Sequence, residues 1–178
     1  LTCSDASLPV DSQNLVHRAA TAFLSAAGIS DGVKIHLAKR IPLAPGLGGG
    51  SGNAATTLLG LNEMFGSPLP RERLHELAAT LGSDIPFFLQ PQPALATGRG
   101  EKIQPLEPFS PLRRTVFFLI HPGFGISTPW AYQDLARFPA ALNGRAGRAG
   151  QLITQLRAGD LFGAAKECYN SLEAPALN

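Results

Sequence analysis

The stretch that most constrains this 178-residue chain is Pro45-Gly46-Leu47-Gly48-Gly49-Gly50-Ser51-Gly52-Asn53-Ala54-Ala55. Five glycines fall within seven positions, and an apolar, alanine-rich helical pattern follows at once. Glycine lets the backbone take positive φ and approach a ligand with no Cβ in the way. A helix starting just after it offers unpaired N–H groups and the positive end of its dipole. Together these predict a site for an anion, most often phosphate. A flexible linker is the alternative, but linkers seldom run from a strand straight into an amphipathic helix.

The flanking sequence supplies that setting. Asn14 to Ala27 carries Leu15, Val16, Ala19, Ala20, Phe23, Leu24 and Ala27 at helical spacing, with Gly28 where a terminating glycine sits. Val33 to Leu37 alternates as a half-buried strand does. After the glycines a helix is expected from about Asn53 to Phe65, and another over Pro70 to Leu81, with Gly82 as its stop. Ser83-Asp84 opens the short apolar segment Ile85 to Leu89. Ala94 to Thr97 and Glu101 to Leu106 predict strands joined by Gly98-Arg99-Gly100. Arg114 to Ile120 predicts a further strand. Thr128 and Pro129 are expected to cap a helix running through Trp130 to Phe138, with Trp130 and Tyr132 as packing groups. Leu142 to Gly150, with Arg145 and Arg148, predicts a solvated loop. Helices over Ala149 to Leu156 and Leu161 to Leu172 follow. The order is mixed α and β, and Pro105, Pro108 and Pro111 mark a boundary.

Composition removes several classes of function. A net charge of +2 with scattered basic residues argues against nucleic acid or a membrane surface as partner. The two cysteines, Cys3 and Cys168, have neither metal-ligand spacing nor a disulfide framework, which predicts a reducing, cytoplasmic setting. No apolar run approaches the ~20 residues of a membrane span. The histidines His17, His36, His75 and His121 show no ligand spacing, and His17 and His75 are expected on helix surfaces. Oligomeric state is not legible.

Two common nucleotide fingerprints fail on register. No Lys follows Gly52, so the pattern G-x-x-x-x-G-K-[ST] is absent, and no frame of the loop gives G-x-G-x-x-G. Instead, Pro42 through Ala55 resembles the ATP-binding motif of the GHMP kinase superfamily, the galacto-, homoserine, mevalonate and phosphomevalonate kinases. Lys39-Arg40-Ile41-Pro42, Leu81-Gly82-Ser83-Asp84-Ile85-Pro86-Phe87-Phe88-Leu89, Gly98-Arg99-Gly100-Glu101 and Gly125-Ile126-Ser127-Thr128-Pro129 are similar to one branch of it. That branch phosphorylates the 2-hydroxyl of 4-diphosphocytidyl-2-C-methyl-D-erythritol in the non-mevalonate route to isoprenoid precursors. The likeness runs from about Asn14 to Asn170.

The resemblance implies an α+β, two-domain GHMP kinase fold. Residues 1–107 would form an N-terminal ATP-binding βα domain of ribosomal-S5-like type, and 108–178 a C-terminal α/β domain, each incomplete at its outer end. It implies ATP and Mg²⁺ as cofactors, with no metal ligand identified from spacing, and a small-molecule acceptor. Asp84 matches the catalytic base, although an Asp there by itself reads more readily as a cap or turn residue. Pro45, Gly46, Leu47, Gly48, Gly49, Gly50, Ser51, Gly52 and Asn53 match the phosphate loop, Ser51 also as helix N-cap. Asn14 and Lys39 match positions near adenine and ribose, with a helix cap and a solvated strand-end Lys as equal alternatives. Thr128 matches a position near the acceptor. Two departures stand out. Gly52 replaces a serine usual in the family, and the Lys that accompanies the catalytic Asp lies upstream of Leu1. A chain so placed is expected to be inactive in isolation. The alternatives are another GHMP kinase, or a non-catalytic nucleotide-binding module if the chain is complete.

Overall fold

The computed structural model describes residues 1–43, 46–120, 124–142 and 147–177. The chain divides into two compact units, Leu1–Leu106 and Glu107–Asn178.

In the first unit, helix α1 spans Leu15–Ala27. The Asn14 side chain caps it by accepting from the Val16 amide at 2.9 Å, and Gly28 ends it in the left-handed conformation. Its apolar stripe, Val16, Ala19, Ala20 and Phe23, is buried. It packs on helix α2, Gly49–Met64, through Ala54, Ala55, Leu58 and Leu61. Helix α3, Arg71–Leu81, completes this layer with Leu74 and Ala78. Full burial of a side chain such as Phe23 or Leu58 stabilises by about 1.5–3 kcal/mol. The small alanines let the helices approach closely.

Two short strands edge this helical layer. Thr2–Cys3 (β1) pairs in parallel with His36–Leu37 (β2). β2 is shorter than the alternation of Val33 to Leu37 predicts, yet Val33, Ile35 and Leu37 are half-buried while Lys34 and His36 are exposed. Ala94–Thr97 (β3) and Lys102–Pro105 (β4) form the expected antiparallel hairpin, Thr97 opposite Lys102. Between α3 and β3, residues Ile85–Leu89 form a single 3-10 helix, with Ile85, Pro86 and Leu89 buried.

The second unit is helical among the described residues. It contains α4 (Thr128–Leu135), α5 (Pro139–Leu142), α6 (Arg148–Ala158), α7 (Leu161–Glu167) and α8 (Glu173–Ala176). Several expectations are corrected here. The strand predicted over Arg114 to Ile120 joins no sheet. Arg114 closes a 3-10 turn, Ser110–Arg114, and Val116 to Ile120 are 71–90% exposed. β-rich composition supplies a potential strand, but a ladder needs a neighbour, and no described strand lies beside it. Ser127, not Thr128, caps α4, its hydroxyl accepting from the Trp130 amide at 3.5 Å. Trp130 and Tyr132 are exposed rather than packed, because α4 buries Ala131 and Leu135, one turn apart.

The solvated loop predicted from Leu142 to Gly150 is in part helix α6. Arg148 donates to the carbonyl of Glu167 at 2.9 Å and to that of Lys166, and it lies over the Tyr169 ring. It thereby satisfies carbonyls at the end of α7, where a cation is favoured. Arg145 lies outside the described residues. The last predicted long helix stops at Glu167 rather than Leu172. Among the described residues, no helix is long and apolar enough to cross a membrane.

Candidate active site

The glycine loop enters α2 four residues earlier than its propensity predicts. Gly48 is the N-cap, with φ of 65°, and Gly49, Gly50, Ser51 and Gly52 make the first helical turn. Each glycine in a helix costs about 1 kcal/mol relative to alanine. Packing overrides that cost. Gly49 is buried, and a Cβ on it would stand 2.7 Å from Lys39 Nζ and 3.1 Å from Ile41 Cγ2. The first helical bond runs from the Gly52 amide to the Gly48 carbonyl at 2.8 Å. The amides of Gly49, Gly50 and Ser51 therefore have no carbonyl one turn back, and amides so placed at a helix start are able to donate to an anion. Ser51, at the third helical position, is not the N-cap that was expected. Its hydroxyl makes no hydrogen bond among the described residues.

On one flank of this turn lies a cavity of about 410 Å³. It collects Asn14, Lys39, Gly49, Gly50 and Asn53, five of the residues singled out in the sequence. Leu8, Pro9, Leu37 and Leu43 add apolar wall. This volume is within the ~300–1,000 Å³ of ordinary ligand sites, and an apolar wall with a few polar groups is their usual lining. Lys39 is half-buried, and its Nζ lies beside Gly49 at the start of α2. Its backbone amide is fixed by a 2.8 Å bond to the Ser4 hydroxyl. Asn14 does act as a cap and is buried, with its side-chain NH₂ donating to the Pro9 carbonyl at 2.7 Å. One N–H and one lone pair remain to it for a ligand. The Ser7 hydroxyl and amide, with the nearby Lys39 charge, hold the Asp5 carboxyl below the ordinary aspartate range.

On the other flank lies the segment that begins with Asp84. The Phe88 ring abuts Gly48, so that a Cβ there would collide with its Cζ, and it passes 3.7 Å from the Cβ position of Gly52. Gly52 thus faces an aromatic ring and not the cavity, which is where the hydroxyl of the usual serine would point. Asp84 is exposed and stands at the N-cap position of the 3-10 helix without a side-chain capping bond, and its carboxylate accepts from the Ser83 hydroxyl at 3.4 Å. Gly100, with φ of 115°, brings the β3–β4 turn onto this segment. A Cβ there would be 3.1 Å from the Ser83 carbonyl and 3.5 Å from Asp84 Oδ1. Glu101 holds that turn by accepting from the Arg99 amide at 2.7 Å. Hydrogen bonds from its own amide and from that of Arg99, with the charges of Arg99 and Lys102, keep its carboxyl below the ordinary glutamate range.

Gly46 is exposed and Leu47 half-buried, both before the helix and outside the cavity lining. Pro45 lies outside the described residues, as does His121. Thr128 is exposed in the first turn of α4, in the second unit. His17 and His75 are half-buried, and His36 pairs with the Thr2 hydroxyl at 2.9 Å. Among the described residues no group of three or more His, Cys, Asp or Glu side chains could hold a metal. Phe88 and Gly100 had been noted only as parts of motifs. Neither is chemically reactive, and only their close approach to Gly48 and Asp84 distinguishes them.

The start of α2 thus has a cavity of about 410 Å³ on one flank and the exposed Asp84 carboxylate on the other. Residues 14–91 match the family described as GHMP kinases N terminal domain. Among curated relatives, 4-diphosphocytidyl-2-C-methyl-D-erythritol kinase of Methylacidiphilum infernorum (isolate V4) is 50% identical over 129 residues, covering 72% of this chain and 44% of the relative. The protein of the same name from Synechococcus sp. (strain JA-3-3Ab) is 41% identical over 181 residues, covering 99% of this chain and 58% of the relative. A crystal structure of 4-(cytidine 5'-diphospho)-2C-methyl-D-erythritol kinase superposes with a TM-score of 0.67 at 33% identity, covering 99% of this chain and 59% of that one. The chain spans about half the length of the curated relatives it matches.

Proposed function

We propose that this chain carries the nucleotide-binding and phosphoryl-transfer part of an ATP-dependent small-molecule kinase. Its acceptor is 4-diphosphocytidyl-2-C-methyl-D-erythritol, phosphorylated at the 2-hydroxyl, in isoprenoid precursor synthesis. Residues 1–107 serve as the ATP-binding domain and 108–178 as the beginning of the second domain. One observation carries the reading. The first turn of α2 has the Asn14–Lys39–Asn53 cavity on one flank and the Asp84 segment on the other.

In this reading the nucleoside occupies the cavity, with Asn14, Lys39 and Asn53 as its polar partners. The polyphosphate crosses the helix end, where the amides of Gly49, Gly50 and Ser51 bind its oxygens. ATP, when bound, would supply the transferable phosphoryl group, and Mg²⁺ would neutralise charge on its phosphates, with the Ser51 hydroxyl as a residue that could meet it. Asp84 accepts the proton of the acceptor hydroxyl, a role open to it because its carboxylate is exposed and committed to no cap. Gly100 keeps the space beside that carboxylate clear. Thr128 belongs to the acceptor side on the resemblance alone.

The test is an ADP-release assay on the full-length gene product, with ATP and 4-diphosphocytidyl-2-C-methyl-D-erythritol. Asp84→Asn should lower kcat by about 10²–10⁴-fold. ADP affinity should stay within about twofold, because uniform binding is untouched. Normal turnover by that variant sinks the assignment of the base. Turnover of mevalonate or homoserine in place of the cytidylyl compound moves the protein to another GHMP activity. ATP binding without ADP release leaves a non-catalytic nucleotide-binding module.

A further inference from the structure

We infer that Phe88 is a positioning residue, a strut that sets the phosphate-binding amides of α2 against the segment bearing Asp84. The inference rests on the kinase reading above for the identity of the phosphate, but its geometry stands apart from it. Phe88 lies four residues beyond Asp84, in the 3-10 helix Ile85–Leu89. That helix is anchored by buried Ile85, Pro86 and Leu89, so the ring projects from a fixed base. The Phe87 ring meets it edge to face, with centroids 5.2 Å apart, and restricts its rotation. Its tip, Cζ, abuts Gly48, and its edge runs along Gly52. These two residues close the first hydrogen bond of α2, from the Gly52 amide to the Gly48 carbonyl. The ring thus braces the one bond that fixes the direction of the three free amides, without touching the cavity itself.

This geometry makes an unusual demand. Tyrosine, ordinarily a mild replacement for phenylalanine, adds its hydroxyl at Cζ, the atom already against Gly48. Phe88→Tyr should therefore push the helix end away, and Phe88→Ala should let it loosen. Phe88→Leu keeps bulk without reaching the tip, and should disturb the helix end less than either.

The experiment measures ADP and adenosine binding to the full chain by calorimetry, together with hydrogen exchange at the Gly52 amide. Phe88→Ala and Phe88→Tyr should each weaken ADP by about tenfold, the equivalent of one lost favourable contact. Adenosine affinity should stay within about twofold, since the cavity is untouched. The Gly52 amide should exchange about tenfold faster in both variants. Equal weakening of ADP and adenosine would show a general packing role, and unchanged ADP binding would show none; either overturns the inference. If Phe88→Ala fails to fold, Phe88→Leu, which loses only the contact of the ring tip with Gly48, should weaken ADP by about threefold with adenosine unchanged, and equal weakening of both overturns the inference. If the unsubstituted protein binds neither nucleotide, the kinase reading has failed, and the Gly52 exchange rates still decide for or against the strut.

Discussion

Replacing Gly48 by alanine tests the geometry of the helix end at its tightest point. Two costs add there. An L-residue at φ of 65° carries roughly 1–2 kcal/mol of strain. The new Cβ also collides with Phe88 Cζ, which is braced by Phe87, and overpacking of that kind costs about 1–3 kcal/mol. The expected destabilisation is therefore about 2–5 kcal/mol. Two neighbours serve as controls. Gly46 also has positive φ, at 95°, but open space around it, so Gly46→Ala should cost only the strain, about 1–2 kcal/mol or less. Gly50 has neither problem, its Cβ position lying an ordinary 3.5 Å from Leu15, so Gly50→Ala should stabilise α2 by up to about 1 kcal/mol. The chain has two units, so a single global unfolding curve would mix them. Native-state hydrogen exchange at the buried α2 amides of Ala55 and Leu58 isolates the relevant one. If Gly48→Ala costs no more than Gly46→Ala, the contact with Phe88 is not tight and the reasoning fails.

Three further outcomes follow from the same contacts. Lys39→Met removes the cation beside Gly49 while keeping most of its length. ADP affinity should drop by about tenfold and lose part of its salt dependence, and an unchanged salt slope in calorimetry would refute a charge role for Lys39. The Glu101 carboxyl is held below its ordinary range, so its hold on the β3–β4 turn should persist above that range and vanish as pH falls through the lowered value. The Arg99 amide resonance, followed from pH 7 downward, should move with a midpoint below that of a free glutamate; a midpoint at or above it contradicts the turn geometry. Arg148→Ala breaks the tie between α6 and the end of α7, and should destabilise that helix pair by about 1–3 kcal/mol by urea titration of the Tyr169 signal.

The sequence made α1 legible from cap to cap because all its determinants are local. Asn14, the 3.6-residue stripe and Gly28 each act within one turn of their neighbours. The start of α2 was not legible in that way. Gly49, Gly50 and Gly52 have the poorest helical propensity short of proline, and Lys39 and Ile41 at Gly49, with Phe88 at Gly48 and Gly52, pack where side chains would otherwise stand. The run Val116 to Ile120 failed in the opposite direction, with strong β character but no ladder to join. For the site, the glycines themselves announced an anion. Asn14 and Lys39 are 25 residues apart (39 minus 14), and nothing in their spacing foretells a shared cavity wall; only likeness to a family put them together. Phe88 carried no signal, since a phenylalanine in an apolar run reads as core.

The exposed run Val116-Phe117-Phe118-Leu119-Ile120 also has a practical consequence. Five consecutive apolar side chains without a charge or a proline match the composition of segments that stack between molecules into cross-β aggregates. Arg113 and Arg114 stand at its N-terminal side and work as gatekeepers, since their like charges repel when copies align in register. The chain's solubility should therefore depend on ionic strength: added salt screens that repulsion and leaves the apolar attraction in place.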